Sequence, residues 1–290
     1  GANETLNYSF VHGQVLENSM QDPKDSYKIT SALSPDLQYY RQSLMPSLLS
    51  RVHPNVKAGY DEFALFEINK THNKKHGLNA EKVPVEIEMT GLVYANKSSK
   101  KPGFFAARAY LDQLAGLFGL ELRYDSVGSD ADYSVTRPYD FERSALVSVK
   151  QSDIFLGIIG EFKAEVKQNF KLPFCSAGFE IDTTKIIEAI KRDDNSRYIP
   201  ASKYPAIYQD ICLEVSEAVK YAAVYDALGG VLQKNAAGDV STKLRLLDIF
   251  VPKPGKKRLT FNITLVSYQR TLSQPDVARI IEKASQHLSS

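Results

Sequence analysis

Cysteine is nearly absent from this chain of 290 residues: Cys175 and Cys212 are the only two. Each sits inside an apolar run and reads as a small buried hydrophobe in a reducing compartment, not as half of a disulfide. Long apolar runs are missing as well. No stretch approaches the roughly 18 residues of a membrane span, and no signal-peptide pattern opens the chain, so no membrane association and a cytoplasmic location are expected. An excess of one charge is also missing. The formal net charge is +2, which neither demands nor excludes a nucleic-acid partner, so local clustering has to decide. The opening "GANETLNYSF" lacks an initiator methionine, and the expectation is a piece of a longer protein, with Gly1 an added residue. What is present is 43% hydrophobic and 24% charged residues, enough for a sizeable core in two domains or one large one.

Convergent chemistry is sparse. His12, His53, His72, His76 and His287 are scattered. The loop holding His72 and His76 also carries Lys74 and Lys75, but no Cys or acid at ligand spacing, so it reads as a solvated loop and no metal site is expected. No serine occupies a nucleophile elbow, and no Walker-type loop occurs. "GIIGEF" (157–162) has too little glycine for a phosphate cradle and reads as a tight strand turn. Asp193 and Asp194 read as solvated.

Periodicity organises the rest. "LNYSFV" (6–11), "EFALFEINKTH" (62–72) and "VPVEIEMTGLVYA" (83–95) alternate as strands, the last two pairing antiparallel. Pro46 fits a first helical turn, with Ser43 as cap and Leu48, Leu49 and Val52 as buried face. "GFFAARAYLDQLAGLFGL" (103–120) has helical spacing at Phe105, Ala109, Leu111, Leu114, Leu117 and Phe118, with Gly119 as stop. "ELRYDSV", "SALVSVKQSDIFLGIIGEF" with a turn at 151–153, and "AGFEIDTTKI" read as further strands. An antiparallel sheet with helices on it, an α+β architecture over 1–192, follows. Residues 193–201 form the linker. Beyond it, 202–290 runs strand, helix, strand, hairpin, strand, helix: a split βαβ, ferredoxin-like plan in which a fourth strand would come next. In that part Ser216 or Glu217 caps the first helix and Gly229-Gly230 end it; Ser273 caps the second, with Pro275 near its start.

The residues resemble the bacterial phenylalanyl-tRNA synthetase beta subunit family. "SALSPDLQYYRQSLMPSLLSRVHPN" followed by "LFEINKTH", then "GFFAARAYLDQLAGLFGL", "LGIIGEFKAEVKQNFKL", "KYPAIYQDICLEV" and "LRLLDIFVPKPGKKRLTFNITLVSYQRTLSQPDV" follow that family's order over nearly the whole chain. The resemblance implies a non-catalytic class II synthetase-like domain, then a ferredoxin-fold anticodon-binding domain. It also implies an alpha subunit carrying catalysis in an alpha2beta2 assembly, tRNA(Phe) as partner, and ATP with Mg for the holoenzyme but no cofactor in this piece. An inactive core agrees with the missing Gly-x-Gly-x-x-Arg block, and with Asn69-Lys70 standing where an active subunit places an arginine; "GLELR" (119–123) lacks the first glycine pair.

Unpaired anticodon bases stack on aromatics while cations hold the backbone, and a split βαβ sheet offers a flat face for this. Candidate tRNA contacts are Lys203, Tyr204 and Tyr208 at the first strand's mouth, Lys253, Lys256, Lys257 and Arg258 in the hairpin, and Tyr268, Gln269 and Arg270 after the third strand. Lys243 and Arg245 add to the face. For the hairpin a solvated loop that discourages edge pairing stands beside the RNA reading, and Tyr268 also suits a core cap. Asp210 is expected to anchor a turn, and Pro205 to end the linker. In the first domain Tyr39, Tyr40 and Arg41, with Leu44 and Phe66, suit a subunit interface; core packing suits Leu44 and Phe66 equally. The rival reading is a stand-alone class II-like nucleotide-binding or amide-forming enzyme.

Overall fold

Two long runs of period-two alternation, 62–72 and 86–96, set the centre of the first sheet. In the computed structural model, which describes residues 1–32, 34–150, 152–192, 201–236 and 238–288, the chain divides into two compact units, 1–196 and 197–290. The linker expectation at 193–200 falls outside the described residues.

The first unit contains β1 (Asn3–Glu4), β2 (Phe10–Val11), α1 (Gly13–Asn18), β3 (Tyr39–Tyr40), α2 (Met45–Lys57), β4 (Glu62–His72), β5 (Glu86–Asn96), α3 (Phe104–Leu117), β6 (Leu122–Ser126), β7 (Tyr139–Val149), β8 (Phe155–Phe162), α4 (Ala164–Asn169), β9 (Cys175–Asp182) and α5 (Thr183–Arg192). The main sheet runs β1-β4-β5-β9-β8-β7-β6, and β2 pairs separately with β3. All its pairs are antiparallel except the short parallel β1–β4, which the sequence reading lacks. Alternation splits the core between the two faces. Leu92, Phe179 and Ile181 pack under α3 and α5. Leu65, Val93 and Ile158 pack under α2, whose Leu48, Leu49 and Val52 are fully buried.

Several local expectations change. Ser43 does not cap α2; the buried Glu180 carboxylate does, accepting from the Leu44 and Met45 amides at 2.8 and 3.1 Å. Gly91 makes room for this: a Cβ there would stand 3.1 Å from Leu48 Cδ1 and 3.2 Å from Leu44 Cβ. α3 turns Ala107, Leu111 and Ala115 inward, leaving Phe105, Ala109, Leu117 and Phe118 exposed. "TTKI" is not strand: Asp182 Oδ1 accepts from the Thr184 and Lys185 amides at 2.9 and 3.2 Å and starts α5. Of the 6–11 run only Phe10 and Val11 are strand.

The second unit contains β10 (Ile207–Ser216), α6 (Tyr221–Asn235), β11 (Val240–Lys253), β12 (Lys256–Ser267) and α7 (Gln274–Leu288). Its sheet has the order β10-β12-β11, both pairs antiparallel. Among the described residues the fourth strand expected for the ferredoxin-like plan does not appear, and β10 is an edge. β12 alternates strictly: Leu259, Phe261, Ile263 and Leu265 are fully buried under Val224, Leu228 and Leu232 of α6 and Val277 and Ile280 of α7. Gly229-Gly230 do not end α6. Leu228, Val231 and Leu232 flank them in the core, and that burial outweighs the roughly 1 kcal/mol each glycine costs a helix. α6 begins after Lys220, not at Ser216 or Glu217. Ser273 does start α7: its amide and hydroxyl both donate to Asp276 Oδ2, at 2.9 and 2.7 Å.

Candidate nucleic-acid interface

Because both helices of the second unit cover one face of its sheet, the other face carries no helix of that unit among the described residues. Register assigns that open face in rows, since paired residues point the same way. Reading β10 to β12 to β11, the rows are Tyr208, Thr264, Lys243; then Asp210, Asn262, Arg245; then Cys212, Thr260, Asp248; then Glu214, Arg258, Phe250; then Ser216 and Lys256. Tyr208 is 67% exposed and Phe250 56%. The rows of these two rings lie six residues apart along β10, roughly 20 Å.

The rows correct several expectations. Asp210 anchors no turn; it lies within β10, where its Oδ1 accepts from Asn262 Nδ2 at 2.6 Å. Cys212 is exposed on the open face, whereas Cys175 is buried. Lys257 pairs with Val215 on the helix side, and its Nζ donates to the Glu217 carbonyl at 3.0 Å. Phe250 escaped the sequence reading because strict alternation would place it on the helix side. A bulge between Leu246 and Asp248 shifts the register by one and turns it outward. The broken alternation in "LRLLDIFV" is the signal that could have found it.

Electrostatics divide the cations into held and available ones. Lys256 Nζ and Arg258 Nε both donate to Glu214, at 2.8 and 3.0 Å. The Lys256 bond, and next the Arg258 bond, hold the Glu214 carboxyl below the usual carboxylate range. Lys243, Arg245 and Lys253 have no ion pair among the described residues.

The other candidates gather at the far end of the sheet. The Ser202 hydroxyl donates to the Ser267 carbonyl at 2.6 Å and accepts from the Tyr204 amide at 3.0 Å, so the mouth of β10 is tied to the end of β12. Lys203 Nζ sits 5.5 Å from the Tyr204 ring centroid. Tyr268 is 43% exposed there. The Arg270 guanidinium is occupied by both Asp276 oxygens, at 2.7 and 3.1 Å, which pushes the Asp276 carboxyl well below its usual range. β12 spans about 36 Å between this end and the hairpin. The candidate contacts therefore bracket the open face instead of forming one cluster.

In the first unit Tyr39 and Tyr40 are partly exposed, but Arg41 is enclosed. Its Nη1 donates to Glu67 Oε1 at 3.0 Å with both side chains fully buried, and its Nε donates to the Lys70 carbonyl at 3.3 Å. The chain's own fold thus uses Arg41, whose side chain is enclosed within the first unit. Glu67 also accepts from Asn7 and Asn69 at 2.7 and 3.0 Å. Burial pushes the Glu180 carboxyl up to about 7, against the pull of its two amide bonds and of Arg41. Burial also pushes His72 below its usual value. Leu44, Met45, Tyr139 and Phe162 fill this face of the sheet with apolar surface. Among the described residues, no group of three or more His, Cys, Asp or Glu is placed to hold a metal ion, and no helix is long and apolar enough to cross a membrane.

Residues 1–183 match the family described as "Phenylalanyl tRNA synthetase beta chain CLM domain". Residues 202–290 match "Ferredoxin-fold anticodon binding domain". The chain is 25% identical over 292 residues to the "Phenylalanine--tRNA ligase beta subunit" of Geobacillus kaustophilus, covering 98% of this chain and 34% of that one. It is 25% identical over 291 residues to the protein of the same name from Fusobacterium nucleatum, covering 96% and 34%. The chain spans about a third of the length of the curated relatives it matches. A solved structure, "Structure of Desulfitobacterium hafniense PylSc, a pyrrolysyl tRNA synthetase", aligns with TM-score 0.50 and 12% identity over 66% of this chain and 62% of that one, a likeness of fold alone. The α+β class expected from the sequence, a class II synthetase-like sheet followed by a ferredoxin-like unit, is the architecture observed.

Proposed function

The chain belongs to the phenylalanyl-tRNA synthetase beta chain family, and from that premise we propose that it is part of a beta subunit that supports a catalytic alpha subunit and binds tRNA(Phe) during the ATP-dependent attachment of phenylalanine. The assembly is alpha2beta2, it acts in the cytoplasm, and ATP and Mg serve the alpha subunit's chemistry. The observation that carries the RNA part is the sheet face opposite the second unit's own helices, with Tyr208 and Phe250 exposed at its two edges and Arg245 between them without an ion pair among the described residues. Unpaired bases stack on such rings and the backbone follows such cations. Lys203, Tyr204, Lys253, Lys256, Arg258, Tyr268 and Arg270 border that face. Tyr39 and Tyr40 serve the subunit interface.

This part of the chain does no chemistry of its own. The filling of the α2 side of the first sheet by Leu44, Met45, Tyr139 and Phe162 supports that reading against a stand-alone nucleotide-binding enzyme. Isothermal titration separates the two. The proposal expects heat on adding an anticodon-arm hairpin of tRNA(Phe), and none on adding ATP or phenylalanine. Saturable binding of ATP and phenylalanine, with the hairpin silent, would favour the enzyme reading.

A further inference from the structure

Glu161, near the end of β8, is a carboxylate with 1% of its side chain exposed and three donors around it. Its Oε1 accepts from the Gly103 amide at 2.8 Å. Its Oε2 accepts from Arg143 Nη1 at 3.0 Å and Lys167 Nζ at 3.4 Å. Lys163 is the residue just before α4, and its carbonyl accepts from the Lys167 amide at 2.9 Å. Each lysine lies over a phenyl ring: Lys163 Nζ is 5.3 Å from the Phe141 centroid, and Lys167 Nζ is 5.4 Å from that of Phe174. Phe141 and Arg143 both lie in the irregular stretch of β7 between Tyr139 and Ser144. Lys100 and Lys101 are exposed, three and two residues before Gly103, whose amide bonds that carboxylate.

Glu161 is fixed by burial, so it fixes Arg143 and Lys167 in turn; Asp140, Glu142 and Glu165 lie in the same segments, and the five cations Lys100, Lys101, Arg143, Lys163 and Lys167 outnumber these four acids by one. Arg143 remains 52% exposed and Phe174 58%. Cations alone would suit an acidic protein surface. Phenyl rings beside the cations, one of them largely exposed, add a stacking surface that an acidic peptide does not need and an RNA strand uses. We propose that this patch of the first unit binds RNA, its cations meeting backbone phosphates and Phe174 receiving an unpaired base. It is a second RNA-facing surface, beyond the anticodon reading of the second unit and independent of it.

The test is fluorescence anisotropy with the whole chain, using tRNA(Phe) and its anticodon-arm hairpin as probes over a range of salt. In the triple variant Lys100→Glu, Lys101→Glu, Lys163→Glu, none of the changed residues bonds Glu161, so the buried carboxylate keeps its partners. The triple variant is expected to lose about tenfold or more in tRNA affinity, with a salt slope shallower by about two. Phe174→Ala is expected to lose about fivefold or more with the slope unchanged. Neither change alters binding of the anticodon-arm hairpin. Unchanged tRNA affinity and slope in the triple variant, at an unchanged melting temperature, overturns the proposal. So does competition by polyglutamate as effective as that by RNA, which assigns the patch to an acidic protein. If the unaltered chain ignores the hairpin while the triple variant still loses tRNA, the anticodon reading fails and this one stands.

Discussion

Glu180 is the residue whose position is least expected from sequence, an acid between Phe179 and Ile181 that becomes the cap of a helix more than a hundred residues earlier. Its folded pKa, about 7, lies above its unfolded value of 4.5. The folded state therefore holds the proton more tightly. The stability this contributes is full below about 4.5 and is lost as pH rises to about 7. Glu180→Gln removes that titration, so the gap between the melting temperatures of variant and parent should change across this window and stay constant above it. Parallel profiles throughout would contradict the assignment. Gly91 is the second pressure point. A methyl there meets Leu44 and Leu48 at 3.1–3.2 Å, in a closely packed core. Gly91→Ala should destabilise by about 1–3 kcal/mol, read from chemical denaturation. Arg41 is the residue whose partner the sequence did not show at this scale. An arginine after two tyrosines looks like an interface anchor, and only the fold reveals Glu67 waiting inside.

At the scale of elements, strands with strict alternation were legible almost to the residue: 62–72 coincides with β4. Elements decided by distant partners were not. The cap of α2 depends on β9, and the run of α6 through two glycines depends on the core beneath it. The candidate site was legible in composition but not in geometry, because one inserted residue at the β11 bulge decides whether Phe250 lies on the open face or on the helix side. Two changes test this scale. Gly230 is exposed, lies inside α6, and has open space where a Cβ would go. Gly230→Ala should stabilise by about 0.5–1 kcal/mol, visible as a higher melting temperature. Glu214 pairs with Lys256 and Arg258, two of the cations proposed to meet RNA. Glu214→Gln should strengthen hairpin RNA binding about two- to fivefold at low salt and steepen its salt dependence. Weaker binding would mean that the carboxylate orients those cations and does not occupy them.

For the whole molecule, a net charge of +2 conceals local order. Available cations stand on the open face of one sheet, and others crowd Glu161 in the other unit. The central claim is that the open face meets RNA through cations that no other group holds among the described residues. The most direct measurement is the anisotropy of a labelled anticodon-arm hairpin titrated with the double variant Lys243→Glu, Arg245→Glu at several salt concentrations. Both side chains are exposed and unpaired among the described residues, so the fold is spared. The account predicts a loss of about thirtyfold or more and a salt slope shallower by about one to two. Affinity and slope equal to those of the unaltered chain would contradict it.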